Sequence, residues 1–310
     1  MTNPPSETAE TAPPATAAVA ERGTRALAFG SLAGIRDRLG QQIFARVAGP
    51  EGPARRDRIA TADGPRWFGD DRPIREVHAD ASMFVGGLRA LLLQSLHPLA
   101  MAGVAGHSGY RGDPWGRLQR TSHFLAVTSF GAAEDAEVMV ARIRAIHERV
   151  RGRAPDGRSY AASDPHLLKW VHLVEIDSFL LAHTTYGARP LDQAGRDGYV
   201  TDTARVAEAL GVVDAPRTEA EMREQLAAYR PELEGTKEAR SAARFMLFNP
   251  PVPLPLRPGY GVLAAASVAL MPVWSRWPLR LPYLPVVEGV GVRAAGLALT
   301  NTIRWAMTSD

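Results

Sequence analysis

The sequence predicts an all-α protein, a single large multi-helix domain, and three observations carry that prediction. No run of alternating β-branched residues is long enough to make a useful strand, and no Asn-Gly or Asp-Gly turn joins two such runs. Apolar residues recur at helical spacing from about residue 24 to the end. Helix starts and stops are marked along the chain by Asp-Pro pairs and by single glycines.

Residues 1–23, rich in Pro, Ala, Thr and Glu, read as a disordered tail with neither a basic region nor an apolar stretch of the kind that directs export. Residues 24–310 form the domain. Leu27, Phe29, Leu32, Ile35, Leu39, Ile43, Phe44 and Val47 space a first helix over 24–48. Asp80 is placed to cap a Leu-rich helix reaching residue 96 and stopped by His97-Pro98, and a short helix follows over 99–105. Asp113-Pro114 opens a helix to Phe130, ended by Gly131, and another runs from Ala133 to Arg151, closed by Gly152. Asp164-Pro165 starts a long helix to Tyr186, ended by Gly187. Further helices are expected over 191–210, 218–230, 236–247, 259–271 and 287–307.

Composition removes several classes of chemistry. The 310 residues include no Cys, which excludes disulfides, iron–sulfur clusters, thiolate-bound haem and Cys-bound zinc. A net charge of +3 is too small to suggest a nucleic-acid partner. Apart from Lys169 and Lys237, every basic residue is Arg, so a lone Arg carries little functional weight. No window approaches the ~20 apolar residues a membrane-spanning helix needs; the best, 262–273, is short and flanked by prolines. The expectation is a cytoplasmic chain whose apolar, Pro-rich end lines a greasy cavity or touches a membrane surface. There is no P-loop, no Gly-x-Gly-x-x-Gly after a strand, no His-Glu-x-x-His and no Gly-x-Ser-x-Gly.

The eight histidines all lie between His78 and His183, about a third of the chain, which places a working centre there. On the helix from Pro114, Arg117, Thr121, Phe124 and Thr128 fall on one face with Arg120 beside them, and guanidinium groups suit carboxylates. In the next helix Met139, Ile143, Ile146 and Val150 trace the expected buried stripe, with His147 next to it. The helix from Pro165 is apolar around most of its circumference, yet carries His172 and Glu175 at i, i+3. Two readings stay open for that pair: groups that orient a ligand or relay protons, or direct ligands of a non-haem metal. Buried, they cost free energy unless paired or bound.

The ordered series HPLAMAGVAGHSGYRGDPWGRLQRT, FG, IHERVRG, YAASDPHLLKWVH and YG resembles the bacterial latex-clearing protein and MpaB-type oxygenase family, over roughly residues 70–260. The resemblance implies an all-α fold enclosing a haem pocket, haem b as cofactor, and dioxygen chemistry. It also implies that Arg117, Arg120 and Thr121 occupy the positions of the family's Arg-x-x-Lys-Thr cluster on the distal side of the haem. His147, in His-x-x-Val-x-Gly, matches the axial iron ligand, with His172 in reserve. Arg120 stands where the rubber-cleaving members have Lys, and no residue upstream of Arg117 matches their catalytic glutamate; His107 falls in that region as the acid/base candidate. These departures point away from polyisoprene and toward a small apolar substrate, with dioxygen or a peroxide as oxidant and an electron donor as a further partner. The assigned set is Arg117, Arg120, Thr121 and His107 for catalysis, and His147, His172, Arg117 and Phe124 for the cofactor, with His147 on the metal. A non-haem iron oxygenase using the His172/Glu175 helix and a non-catalytic helical ligand-binding protein are the alternatives.

Overall fold

The computed structural model describes residues 32–107 and 111–308; the proposed N-terminal tail and the first residues of the first predicted helix lie outside them. Among the described residues the fold is fourteen α-helices and one two-stranded ribbon. In chain order the first seven helices are α1 (Leu32–Ala48), α2 (Gly52–Thr61), α3 (Pro73–Ala79), α4 (Met83–Gln94), α5 (Pro98–His107), α6 (Pro114–Phe130) and α7 (Ala133–His147). The ribbon β1 (Arg151–Arg153) and β2 (Ser159–Ala161) leads into α8 (Pro165–Tyr186), α9 (Gln193–Leu210) and α10 (Glu219–Ala228). The chain closes with α11 (Lys237–Phe248), α12 (Arg257–Ala269), α13 (Val273–Leu279) and α14 (Arg293–Met307), the last entered through a π-helical turn, Val287–Val292.

The organising element is α8. Asp164 caps it by accepting from the His166 amide at 2.9 Å, Pro165 occupies its first turn, and the Gly187 amide donates to the His183 carbonyl at its end. Trp170, Leu173, Val174, Ile176, Phe179 and Leu180 are all buried in the main core, so the helix is enclosed around most of its circumference. It lies along α4 at a distance only a glycine permits. A Cβ on Gly86 would come within 2.9 Å of both the Phe179 ring and the Ser178 carbonyl oxygen. From α4, the fully buried Arg89 reaches across to Asp177 at 2.8 Å and Ser178 at 2.6 Å, and its Nε donates to the Leu270 carbonyl at 2.9 Å. One guanidinium therefore ties α4 and α8 to the end of α12.

The short α3 packs against α4, α6, α8 and α9, with Ile74 and Val77 wholly buried. Its start is fixed by Asp202 of α9, which accepts from the Ile74 amide and from Arg72. Helices α6 and α7 are joined through Gly131-Ala132 and pack on each other. Asp113 caps α6 by accepting from the Gly116 amide at 2.8 Å. Their connection is pinned by Arg66, whose guanidinium donates to the Phe130 and Ile59 carbonyls.

Several boundaries differ from the sequence reading. Helix α7 stops at His147 rather than Arg151, and Arg151 to Arg153 pair with Ser159 to Ala161 in a hairpin that turns on Asp156-Gly157, with Gly157 at φ +88°. Strands of three residues are too short to show a period of two, which is why this turn has no flanking alternation to announce it. Helices α2, α3 and α13 are unforeseen: α2 is polar all round, and α3 and α13 are only seven residues long. Asp80 does not cap a following helix through the expected turn; it ends α3, accepts from the Ser82 and Ala188 amides and pairs with Arg304 of α14.

Removing Arg89 strands the Asp177 carboxylate against the core. Arg89→Met should destabilise the fold by about 3–5 kcal/mol in urea denaturation, and Asp177→Asn in the same chain should recover part of that loss.

Candidate active site

Because α8 is apolar, its two polar interior residues stand out. His172 and Glu175 are each half-buried. Burial pushes the Glu175 carboxyl up to about 7 and the His172 imidazole down to about 4. His172 Nε2 is buried and has no hydrogen-bond partner among the described residues.

His78, on α3, is also half-buried, and burial takes it down to about 3, so its ring is neutral. Its Nδ1 lies 2.7 Å from Ser129 Oγ of α6 and its Nε2 3.2 Å from the Tyr199 hydroxyl of α9. A neutral ring has one donor and one acceptor, so the two hydroxyls must point in opposite senses along the chain. Burial raises the Tyr199 phenol well above its ordinary value, and the nearby charge of Glu175 raises it further. Ser129, His78, Tyr199 and Glu175 thus place one run of polar groups across α6, α3, α9 and α8. Sequence reasoning missed Ser129, His78 and Tyr199 as a set. The concentration of histidines included His78, but nothing in local spacing joins three residues 51 and 121 positions apart.

The α6/α7 pair carries the other expected residues. Arg117 is half-buried; burial, and then the charge of Arg120, lowers its pKa. Phe124 is half-buried and Thr128 is buried, its hydroxyl donating to the Phe124 carbonyl at 2.9 Å. Thr121 is exposed, and Arg120 is exposed and paired with Asp113 at 3.1 Å. The face read from periodicity is therefore divided, with Arg117, Phe124 and Thr128 turned inward to differing depths and Arg120 outward. On α7 Ala136 and Val140 are buried, Met139, Ile143 and His147 are half-buried, and Ile146 is exposed. His147 shares the inward side with Val140 and Ile143 and Ile146 does not, which corrects the stripe read from sequence at that position. Burial lowers its pKa, and its Nδ1 is buried without a partner among the described residues. Arg117 and His147 lie toward the ends of α6 and α7 that are remote from the connecting Gly131-Ala132.

His107 is exposed at the end of α5, 3.4 Å from the Tyr160 hydroxyl. A separate group gathers His97, His166 and Glu232, whose ligating atoms all lie within 4.8 Å of one another. His97 Nδ1 receives the Ala100 amide at 3.5 Å, which leaves the proton on Nε2, 3.3 Å from Glu232. His166 Nε2 meets the same carboxylate at 2.9 Å, and its ring stacks on Tyr229. Burial pushes Glu232 up, but the hydrogen bonds and charges of His166 and His97 outweigh it and hold the carboxyl below its usual range. The three side chains are hydrogen-bonded to one another, and their ligating atoms lie close enough together to hold a metal ion.

The buried imidazoles set a pH dependence. Below pH 6.5 the unfolded chain takes up protons that folded His78 and His172 refuse, so stability falls as pH drops. The lowered His97, His123, His147 and His183 act in the same direction. Glu175 acts oppositely between 4.5 and about 7, since its folded form keeps a proton that the unfolded form releases. The net expectation is a urea midpoint that falls from pH 6.5 to 4.5, and that falls more steeply in Glu175→Gln.

Comparison with known proteins places this arrangement. A stretch of 100 residues is 32% identical to an uncharacterized protein of Mycobacterium bovis and to one of Mycobacterium tuberculosis, covering 32% of this chain and 38% of either relative. No solved structure matches. The family model described as "ER-bound oxygenase mpaB/B'/Rubber oxygenase, catalytic domain" matches residues 75–305, from α3 through α14, and so takes in every interior residue described above. The chain belongs to this MpaB/rubber oxygenase family.

Proposed function

We propose that the chain is a haem-b oxygenase acting on a small apolar substrate, with His147 as the axial ligand. The observation that carries this reading is the half-buried His147 ring of α7, whose Nδ1 is itself buried with no partner among the described residues, inside the region matched to the oxygenase family. A buried nitrogen without a partner costs free energy in the empty fold, and a metal bond removes that cost. The lowered pKa keeps the ring neutral and able to ligate at physiological pH. Haem supplies a redox-active iron that activates dioxygen or a peroxide.

The remaining roles follow from placement. Arg117, half-buried, would offer its guanidinium to a haem propionate. Phe124, also half-buried, would supply an apolar wall for the cofactor. Thr121 and Arg120 are exposed and on this reading stand at the rim of the site, Arg120 being engaged by Asp113. His107, also exposed, is outside the reacting region on this reading. Acid/base work falls instead to Glu175, a carboxyl near neutrality that can hold or release a proton at Oε beside the unpartnered His172 and the Tyr199–His78–Ser129 chain. Arginine at 120 is a poor iron ligand, so no side chain from that position closes the iron against oxidant.

The unpartnered His172 Nε2, three residues from Glu175, gives the second reading, a non-haem iron centre on α8. Absorption spectra of protein purified from cells supplied with haem precursor and iron decide between them. A Soret band is expected in the parent, lost in His147→Ala and retained in His172→Ala. The reverse pattern moves the axial bond to α8, and iron without porphyrin absorption supports the second reading. In the haem-loaded protein, the pH dependence of azide binding near 7 should vanish in Glu175→Gln.

A further inference from the structure

Among the described residues, thirteen of the nineteen exposed large apolar side chains lie in the last fifth of the chain, from Phe248 onward. The densest group surrounds the connection between α13 and α14. Trp277 is 87% exposed, Val286 80% and Val290 73%, and Tyr283, Leu284 and Val287 are each more than half exposed. One buried ion pair holds them together. Arg276 binds Glu288 at 2.7 and 2.8 Å and lies 5.1 Å from the Tyr283 ring, and the Leu284 amide donates to the same carboxylate at 2.9 Å. Val286, Val287 and Val290 fall on one side of the turn. The sequence of that turn, Val-Glu-Gly-Val-Gly-Val, is composed largely of poor helix formers, and a Cβ on Gly289 or Gly291 would meet nothing within 4 Å. Neither propensity nor burial accounts for holding these valines helical and in water. Contiguous apolar surface of this kind marks an interaction site.

Charge identifies what covers it. Between Ala239 and Thr308 the sequence has seven arginines and a single carboxylate, Glu288, which Arg276 already engages. Arg244, Arg257, Arg280 and Arg293 are exposed. Arg280 follows Trp277 within one turn, its amide donating to the Trp277 carbonyl at 3.0 Å. We propose that this face docks on a bilayer surface bearing anionic phospholipids. The valines and Leu284 enter the acyl boundary, Trp277 and Tyr283 sit at headgroup level, and the exposed arginines meet lipid phosphates. No single helix among the described residues is long and apolar enough to cross a membrane; Leu254–Ala269 and Val273–Leu279 reach that length and hydropathy only together, bent by 119° at the break between them. The inference is independent of the cofactor assignment.

The test is co-sedimentation of the full chain, as purified, with vesicles of phosphatidylcholine alone or mixed with phosphatidylglycerol. The mixed vesicles should bind roughly tenfold more protein, and added salt should weaken that binding. Val286→Asn with Val290→Asn, and separately Trp277→Ala, should lose binding to both while keeping the parent's circular dichroism and melting curve. Arg280→Glu with Arg293→Glu should lose only the preference for the anionic vesicles. No binding to mixed vesicles, or variants that bind like the parent, overturns the proposal. So does a dimer by light scattering that the valine variant dissociates, since a second copy would then cover the face.

Discussion

A helix that is apolar around its circumference can be stable only if other helices enclose it, and the architecture follows from how α8 is enclosed. Its closest neighbour, α4, reaches contact distance at Gly86, and the approach brings Arg89 within reach of Asp177 and Ser178. A charge placed that deep is tolerable only with its hydrogen bonds satisfied, and the Leu270 carbonyl completes the set. The same enclosure gives His172 and Glu175 their character. On a surface helix they would titrate as ordinary side chains; inside, one is held neutral and the other is brought near neutrality.

Around α8 the polar groups divide by what satisfies them. Asp202, Asp80 and Glu288 each take an arginine and backbone amides and serve to fix α3, the α3–α4 junction and the approach to α14. His97, His166 and Glu232 close on one another. His78 finds two hydroxyls. Against that background, His147 Nδ1 and His172 Nε2 are buried with no protein partner among the described residues, and both lie within the region matched to an oxygenase family. His183 Nδ1 shares the condition at the far end of α8 beside Gly187, as do single atoms of Trp67, Arg75, Ser82 and Gln225.

Much of the helical framework was legible because its signals are local. Asp113-Pro114, Asp164-Pro165 and the glycines at 131 and 187 punctuate α6 and α8 where the structure does. The family could be read from motifs in order. Short elements were not legible: α3 spans two turns, and the ribbon after α7 has three residues on each side. The inward side of α7 was misread at Ile146, since Ile146 looks as apolar as Ile143 and only the packing of Ala136 and Val140 distinguishes the inward face. The Ser129–His78–Tyr199 chain was out of reach for a different reason. It depends on α3 lying between α6 and α9, which no local pattern encodes.

The anchorage of the α6/α7 connection has a mechanical consequence. Arg66 donates to the Phe130 carbonyl at the end of α6 and to the Ile59 carbonyl of α2. Through that one side chain the ends of two helices distant in sequence are tied to a single point, so a displacement of either there is communicated to the other.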